Sequence, residues 1–273
     1  MPKLTTPDQV NLNYTDIGSG RPIVMIHGWP LSGAAFADNA KVLAAAGYRV
    51  ITYDRRGFGQ SGKPRDGYDY DTLAADLDAL LTGLDLRDAV LLGFSMGGGE
   101  VARYLATRGS GRVGAAILSG SICPALCITK DNPDGAMPRE GFQELADACA
   151  ADHAGFVDQF CGWFYSNDQG LAVPEEVRQQ AVEIARQSAP HAAVATILTW
   201  TEDLREDCRR IDVPLLVIHG DGDQNVPLAK SSARMPEYAQ QAQLVVIEGG
   251  PHGINVSHAD QWNAAILSFL AGS

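Results

Sequence analysis

A serine stands between an apolar run and a glycine-rich helical pattern in the segment GFSMG, residues 93–97. The apolar run, residues 89–94, is typical of a strand, and the pattern after Ser95 is typical of a helix. Gly93 and Gly97 carry no Cβ, so the two elements can approach closely at a sharp turn. Such a turn strains the serine backbone, exposes its Oγ and places it beside the N-terminal N–H groups of the helix. The spacing therefore predicts a serine nucleophile that attacks a carbonyl carbon.

A serine nucleophile needs a general base, and the base needs an acid that orients it. Five histidines follow Ser95 in the sequence: His153, His191, His219, His252 and His258. Only His252 lies in a loop directly after a late apolar run, in IEGGPHGIN. The others are expected in helices or at the end of a strand. The sequence therefore predicts His252 as the base.

Two aspartates compete for the role of the acid in the segment LLVIHGDGDQNVP. Asp221 follows the apolar run directly and lies between two glycines, which suits a turn. Asp223 lies further out, and Pro227 after it can open a helix. The residues alone favour Asp223 slightly and leave both aspartates open.

The elements that must position these residues are visible as alternating patterns. Six short apolar runs are expected to form strands: residues 22–28, 49–54, 89–94, 113–120, 213–220 and 243–250. Continuous apolar runs favour a mostly parallel sheet that is buried on both faces. Helical patterns at 36–47 and 70–86 predict right-handed crossovers, with helices on both faces of the sheet. The segment 16–22, DIGSGRP, is expected to link two antiparallel strands at the N-terminal edge.

The strand pattern stops in the middle of the chain. After the loop 132–138, NPDGAMP, the sequence reads as successive helices until the strand pattern resumes at DVPLLVIHG. We expect an α/β core formed by residues 1–121 and 212–273, with residues 122–211 as an all-helical cap insertion. The carboxyl edge of an open α/β sheet is where ligands bind, so the cap is expected to cover that edge.

Composition and charge exclude several classes of protein. The chain has 273 residues, 45% of them hydrophobic, and a formal net charge of −12, which argues against nucleic acid and anionic membranes as partners. No apolar run reaches the roughly 18 residues that span a bilayer, and MPKLTTPDQV has no apolar signal region. Five cysteines without CxxC pairing predict reduced, buried thiols and a cytoplasmic location. The oligomeric state is left open, a homo-oligomer included.

Two further motifs are expected to be structural. DRRGFGQS, residues 54–61, lacks the spacing of a dinucleotide-binding loop, so we expect Asp54 and Arg55 to pin loops there. His27 is expected to make structural hydrogen bonds rather than to act as a second base. HGDGD has no second histidine nearby, so no metal site is expected.

The whole chain resembles the α/β-hydrolase family, and closely its cofactor-free haloperoxidase (perhydrolase) and aryl-esterase branch. The matching stretches are GSGRPIVMIHGWP, YDRRGFGQS, GFSMGGGEVARY, VPLLVIHGDGDQNVP and PHG. The resemblance implies the α/β-hydrolase fold, no cofactor and no metal. It also implies Asp223, the second aspartate of HGDGD, as the acid. Two backbone N–H groups are expected to form the oxyanion hole: that of Met96, next to the nucleophile, and by resemblance that of Trp29.

We expect the substrate pocket to have a largely aromatic wall, formed by Trp29, Pro30, Phe142, Phe160, Phe164 and Trp200. Phe156, Phe160 and Phe164 share one helical face, a pattern that fits either core packing or a pocket wall. The resemblance favours Phe160 and Phe164 as pocket residues, since the corresponding cap helix lines the acyl site in this branch.

These expectations combine into a serine hydrolase of small acyl or aryl esters. Ser95 forms an acyl-enzyme, and water or hydrogen peroxide resolves it; peroxide gives a peracid that oxidises halides. A lactone or lactam hydrolase on the same triad is the nearest alternative. A small-molecule receptor on the same fold is an alternative of a different class. The serine excludes a haloalkane dehalogenase, whose nucleophile is a carboxylate.

Pro30 carries a separate hypothesis about peroxide. Proline restricts the residue before it to extended conformations, and that residue is Trp29. The restriction is expected to hold the Trp29 carbonyl where it accepts a hydrogen bond from an attacking peroxide. The alternative is that Pro30 only stiffens the turn.

Overall fold

The computed structural model describes residues 2–272. Within that range the chain forms twelve strands and ten α-helices in an α/β arrangement. The strands in chain order are β1 (Lys3–Thr5), β2 (Asn11–Gly18), β3 (Pro22–Ile26), β4 (Arg49–Tyr53), β5 (Ala89–Phe94), β6 (Val113–Ser119), β7 (Cys127–Ile128), β8 (Met137–Pro138), β9 (Ser166–Asn167), β10 (Gly170–Leu171), β11 (Leu215–Gly220) and β12 (Ala242–Ile247). The helices are α1 (Ala37–Ala45), α2 (Tyr70–Gly83), α3 (Met96–Arg108), α4 (Arg139–Ala151), α5 (His153–Phe164), α6 (Glu175–Ala185), α7 (Pro190–Thr199), α8 (Arg205–Arg209), α9 (Ile254–Ser257) and α10 (Ala259–Ala271).

The central sheet has the order β1-β2-β4-β3-β5-β6-β11-β12 in the described residues. The pairs from β4 to β12 are parallel, and β2 is antiparallel to both of its neighbours. The expected mostly parallel sheet is therefore confirmed. The turn at DIGSGRP does join strands of opposite direction, but β4 lies between them in the sheet.

Burial separates the central strands from the edge. Every residue of β5 and β11 is buried, as their continuous apolar sequences predicted. The expectation that the run 243–250 is buried on both faces is wrong, because β12 is the edge strand. Leu244 and Val246 on that strand are 36% and 45% exposed.

The bounds of helix α2 follow from the residues at its two ends. Asp69 accepts a hydrogen bond from the Thr72 N–H and caps the start of α2, in which Leu73, Leu77, Leu80 and Leu81 are buried. Asp85 has a left-handed φ of 45°, so α2 stops at Gly83, before the predicted end at residue 86.

No helix of the described residues is long and apolar enough to cross a membrane.

The segment between β6 and β11 contains α4 to α8, but it is not entirely helical as expected. Two-residue strands pair β7 with β8 and β9 with β10. The first pair belongs to a loop held by Asn132, whose side-chain amide donates to the carbonyls of Ala125 and Cys127 at 3.3 and 2.7 Å. These contacts join positions five and seven residues apart, so helical periodicity gives no sign of them.

Candidate active site

Ser95 occupies the sharp turn between β5 and α3. Its φ and ψ are 54° and −120°, a strained conformation for a residue with a side chain. The turn depends on close backbone contacts: a Cβ on Gly97 would lie 2.5 Å from the carbonyl oxygen of Ile26, and one on Gly93 would overlap the Gly97 backbone. Larger residues at these positions would push the strand and the helix apart.

A continuous hydrogen-bond chain joins Ser95, His252 and Asp223. The Ser95 Oγ lies 2.9 Å from His252 Nε2, and His252 Nδ1 lies 2.6 Å from Asp223 Oδ2. The imidazole packs between the rings of Phe94 and Phe164, with centroids 5.2 and 4.9 Å away. The structure thus brings together the predicted nucleophile, base and acid in the order that acyl transfer requires.

Asp223 is buried and has donors on both oxygens. Its Oδ1 accepts hydrogen bonds from the backbone N–H groups of Asn225 and Val226 at 2.9 and 2.8 Å. Burial alone would raise the pKa of Asp223, but the neighbouring His252 and His219 outweigh that effect and hold the pKa well below its usual range. The Asp223 side chain is therefore an anion at neutral pH.

The competing aspartate has a different environment. Asp221 is exposed, and its Oδ1 accepts a hydrogen bond from the Gly249 N–H at 2.6 Å. That contact ties the turn after β11 to the loop that carries His252. The geometry assigns Asp221 to loop structure and leaves contact with the imidazole to Asp223.

The two residues predicted to form the oxyanion hole both adjoin Ser95. Met96 is the first residue of α3, so its N–H has no acceptor within the helix. Gly28 packs directly against Ser95, since a Cβ there would lie 2.9 Å from the Ser95 Cβ. Trp29 follows Gly28, and its backbone therefore lies at the same edge of the sheet.

A buried network supports the loop that contains Trp29. His27 Nε2 accepts a hydrogen bond from the Arg55 N–H at 2.9 Å, and its Nδ1 lies 2.9 Å from the Gly28 carbonyl oxygen. The Arg55 side chain donates to the His27 carbonyl at 2.8 Å and to Glu100 on α3 at 2.9 Å. Burial lowers the pKa of Arg55 to about 10, so it keeps its charge at neutral pH. His27 and Arg55 thus have the structural roles that the sequence predicted.

A cavity of about 340 Å³ opens beside Ser95 and His252. Four of the six predicted pocket residues line it: Trp29, Phe142, Phe160 and Trp200. The Trp29 ring packs edge-on against Phe160 at 4.6 Å, and its indole N–H donates to the Ala193 carbonyl at 3.0 Å. One ring therefore shapes the cavity and joins the segment after β3 to helix α7.

Two predicted pocket residues are not brought to the cavity wall. Phe164 is 1% exposed and packs on the far side against His252, Phe94 and Tyr165. Pro30 is buried in the turn after Trp29 and is absent from the lining residues within the described chain. Phe160 and Phe164 share a helix face, but they are one turn apart, and only the first reaches the cavity.

Sequence reasoning missed several residues of the cavity wall: Ile122, Leu126, Ala136, Met137, Leu145, Trp163, Gln224, Asn225 and Val226. The last three follow Asp223 directly, so the predicted position of Asp223 was a signal that could have found them. The first four belong to the irregular loop 122–138, which shows no periodic pattern. Within residues 2–272, no group of three or more His, Cys, Asp and Glu side chains is arranged to hold a metal ion.

Comparisons with known proteins identify the family. The alpha/beta hydrolase fold family matches residues 21–259. The chain is 41% identical to a non-heme chloroperoxidase of Kitasatospora aureofaciens over 274 residues, with 99% of each chain covered. It is 34% identical over 272 residues to a bifunctional esterase/perhydrolase of Acinetobacter calcoaceticus, with 98% of each covered. A bromoperoxidase crystal structure from Bacillus anthracis matches with a TM-score of 0.96, 39% identity and 99% coverage of both chains. The chain therefore belongs to the α/β-hydrolase family, in the branch that includes non-heme haloperoxidases and esterase/perhydrolases.

Proposed function

We propose that the protein is a serine esterase of small acyl or aryl esters that also transfers the acyl group to hydrogen peroxide. The observation that carries the proposal is the chain Ser95–His252–Asp223, with distances of 2.9 and 2.6 Å, at the edge of an apolar cavity. The similarity to an esterase/perhydrolase over nearly the whole chain supports the second activity.

In the acylation step, the Ser95 Oγ attacks the ester carbonyl carbon while His252 Nε2 takes the hydroxyl proton. The anionic Asp223 orients the ring through Nδ1 and stabilises the imidazolium that forms. The backbone N–H groups of Met96 and Trp29 stabilise the negative charge on the carbonyl oxygen. Collapse of the tetrahedral intermediate expels the alcohol, which receives its proton from His252.

In the deacylation step, a second nucleophile attacks the acyl carbon with His252 as its base. Water gives the carboxylic acid, and hydrogen peroxide gives the peracid; both restore the Ser95 hydroxyl. The peracid then transfers one oxygen to a halide ion, which yields hypohalous acid and the parent carboxylate. In this scheme the halide is oxidised by the peracid in solution, outside the active site.

The cavity supports the choice of small substrates. Its volume of about 340 Å³ lies at the lower end of the range for small-molecule sites, and its walls are mainly aromatic and aliphatic. Residues 122–211 supply most of the outer wall, including Phe142, Phe160 and Trp200. We propose that this segment is a cap that limits the length of the acyl or alcohol group.

The cellular setting that we propose is a reducing one, the cytoplasm. All five cysteines are buried and carry free thiols: Cys123, Cys127, Cys149, Cys161 and Cys208. Reduced thiols in a chain of this length are typical of intracellular proteins.

Ser95→Ala tests the proposed nucleophile. The variant is expected to lose turnover of p-nitrophenyl acetate and labelling by a fluorophosphonate, because both need the Ser95 Oγ. Circular dichroism and thermal unfolding serve as the control for an intact fold. Labelling that persists in the variant would place the nucleophile elsewhere, and single-turnover hydrolysis by the wild type would favour a receptor.

Pro30→Leu tests the peroxide step. The variant is expected to show a lower ratio of peracid formation to ester hydrolysis, with hydrolysis kept or raised, because Trp29 loses the restriction that proline imposes. Both rates are measured on one methyl ester across a peroxide titration. An unchanged ratio would leave Pro30 with a role in the turn alone.

A further inference from the structure

A second histidine contacts the same oxygen of the catalytic acid as His252 does. His219 Nε2 lies 3.1 Å from Asp223 Oδ2 and 2.8 Å from the carbonyl oxygen of Val226. Its Nδ1 lies 2.7 Å from the Ser232 Oγ. His219 and Ser232 are both 0% exposed, so no solvent competes for these hydrogen bonds. The mechanism described above uses neither residue.

The partners of His219 define its tautomer. Nε2 faces a carboxylate oxygen and a carbonyl oxygen, which only accept, so Nε2 carries the hydrogen. In that tautomer Nδ1 accepts the hydrogen bond from the Ser232 hydroxyl. With this tautomer every polar atom of the imidazole has a partner of the correct type, and the ring has one orientation.

Four N–H groups consequently contact the Asp223 carboxylate. Two backbone N–H groups donate to Oδ1, and His252 Nδ1 lies 2.6 Å from Oδ2. His219 Nε2 lies 3.1 Å from the same oxygen and shares its one hydrogen between Oδ2 and the Val226 carbonyl oxygen. Oδ2, the oxygen that orients the catalytic imidazole, has no other partner besides the two histidines among the described residues. Without His219, only His252 itself would hold that oxygen in place.

We propose that His219 is a positioning residue for Asp223, and that Ser232 positions His219. The resulting chain runs Ser232–His219–Asp223–His252–Ser95, with the anion at its centre and a serine–histidine pair on each side. His219 lies near the end of β11, and the turn after that strand brings Asp223 Oδ2 within 3.1 Å of His219 Nε2. This inference rests on the proposed function, in which Asp223 is the acid.

Loss of His219 is expected to change kcat rather than KM. The reason is that Asp223 stabilises the imidazolium, which exists only after proton transfer has begun. His219→Leu is expected to lower kcat for p-nitrophenyl acetate by about tenfold to a hundredfold, the range for one lost hydrogen bond to a charged group. KM is expected to stay within about twofold, since His219 does not line the cavity.

Conservative variants separate positioning from simple packing. His219→Gln keeps a side-chain N–H that can reach Oδ2, so it is expected to retain more kcat than His219→Leu. Ser232→Ala is expected to lower kcat less than His219→Leu, because the ring stays but loses the partner of Nδ1. Ser231→Ala is the matched control: it removes a buried hydroxyl from the neighbouring residue, which binds the Pro227 carbonyl instead, and kcat is expected to stay unchanged.

A double-mutant cycle gives the decisive readout, with the rate of fluorophosphonate labelling of Ser95 as the signal. If His219 acts through Asp223, His219→Leu slows labelling in the wild type and has no further effect in Asp223→Asn. The proposal would be overturned if His219→Leu lowered the labelling rate by the same factor in the wild type and in Asp223→Asn. Unchanged kcat in His219→Leu would also overturn it. If His219→Leu does not fold, the labelling rates of Ser232→Ala and Ser231→Ala are compared instead. A lower rate in Ser232→Ala alone supports the proposal, and equal rates overturn it. Full activity of Asp223→Asn would instead overturn the proposed function, so the two failures are distinguishable.

Discussion

At the scale of single residues, the two aspartates of HGDGD are separated by their surroundings. Asp223 is buried against two histidines, whereas Asp221 is exposed and accepts one backbone hydrogen bond. Asp223→Asn is expected to lower kcat about 10⁴-fold, because the amide favours the wrong imidazole tautomer. Asp221→Asn is expected to change kcat little. Ester hydrolysis by both variants, prepared in parallel, checks this; the reverse order of effects would make Asp221 the acid.

The same residues show what sequence reasoning can reach. The sequence predicts Ser95 and His252 because each stands at a defined place in the strand pattern; it favours Asp223 only slightly, and the resemblance strengthens that prediction. The contact between His219 and Asp223 was not found, although the two residues are only four apart. It depends on the fold of the turn at 220–222 and on Ser232, which a separate segment supplies. Local patterns reveal positions on elements, and they do not reveal such contacts.

At the scale of elements, helix α5 presents two phenylalanines to different surroundings. Phe160 lines the cavity and packs on Trp29, while Phe164 packs on the ring of His252. Phe160→Ala is expected to shift the preference toward longer acyl chains, because it enlarges the cavity. Phe164→Ala is expected to lower stability by about 3–5 kcal/mol and to leave chain-length preference unchanged, since it empties a packed site.

A series of p-nitrophenyl esters from acetate to octanoate, together with urea unfolding, separates the two effects. Each variant is the control for the other, because both remove one ring from the same helix. Equal shifts in selectivity would return Phe164 to the pocket wall. A large loss of stability without altered selectivity in Phe160→Ala would make its role one of core packing.

The elements also show where pattern reasoning stops. The central strands match the apolar runs to within about two residues, because burial on both faces leaves a continuous apolar signal. The loop 122–138 has no such apolar pattern in its sequence, although it supplies four lining residues of the cavity. Its conformation depends on Arg234, whose guanidinium donates to the Asn132 side chain at 2.6 Å and to the Ala125 carbonyl at 3.1 Å. Arg234 lies about a hundred residues further along the chain, beyond the reach of local periodicity.

At the scale of the whole molecule, the folding stability is expected to depend on pH through the buried residue His27. His27 is fully buried, and burial together with the adjacent Arg55 charge holds its pKa well below the ordinary value of 6.5. Below pH 6.5 the unfolded chain therefore binds a proton at this histidine, while the folded protein does not. The stability that neutral His27 allows is fully present above pH 6.5 and declines as the pH falls below it.

His27→Gln removes that proton uptake while keeping a side-chain oxygen that can accept the Arg55 N–H. Between pH 7.5 and 5.5, the free energy of unfolding is expected to fall by about 1.4 kcal/mol more in the wild type than in the variant, the contribution of one such group. Urea unfolding of both proteins at the two pH values measures the difference. Other titrating groups and the constant effect of the substitution cancel, because only the change with pH is compared. An identical change in both proteins would mean that His27 takes up its proton in the folded state, and the Arg55 network would then have to open in mild acid.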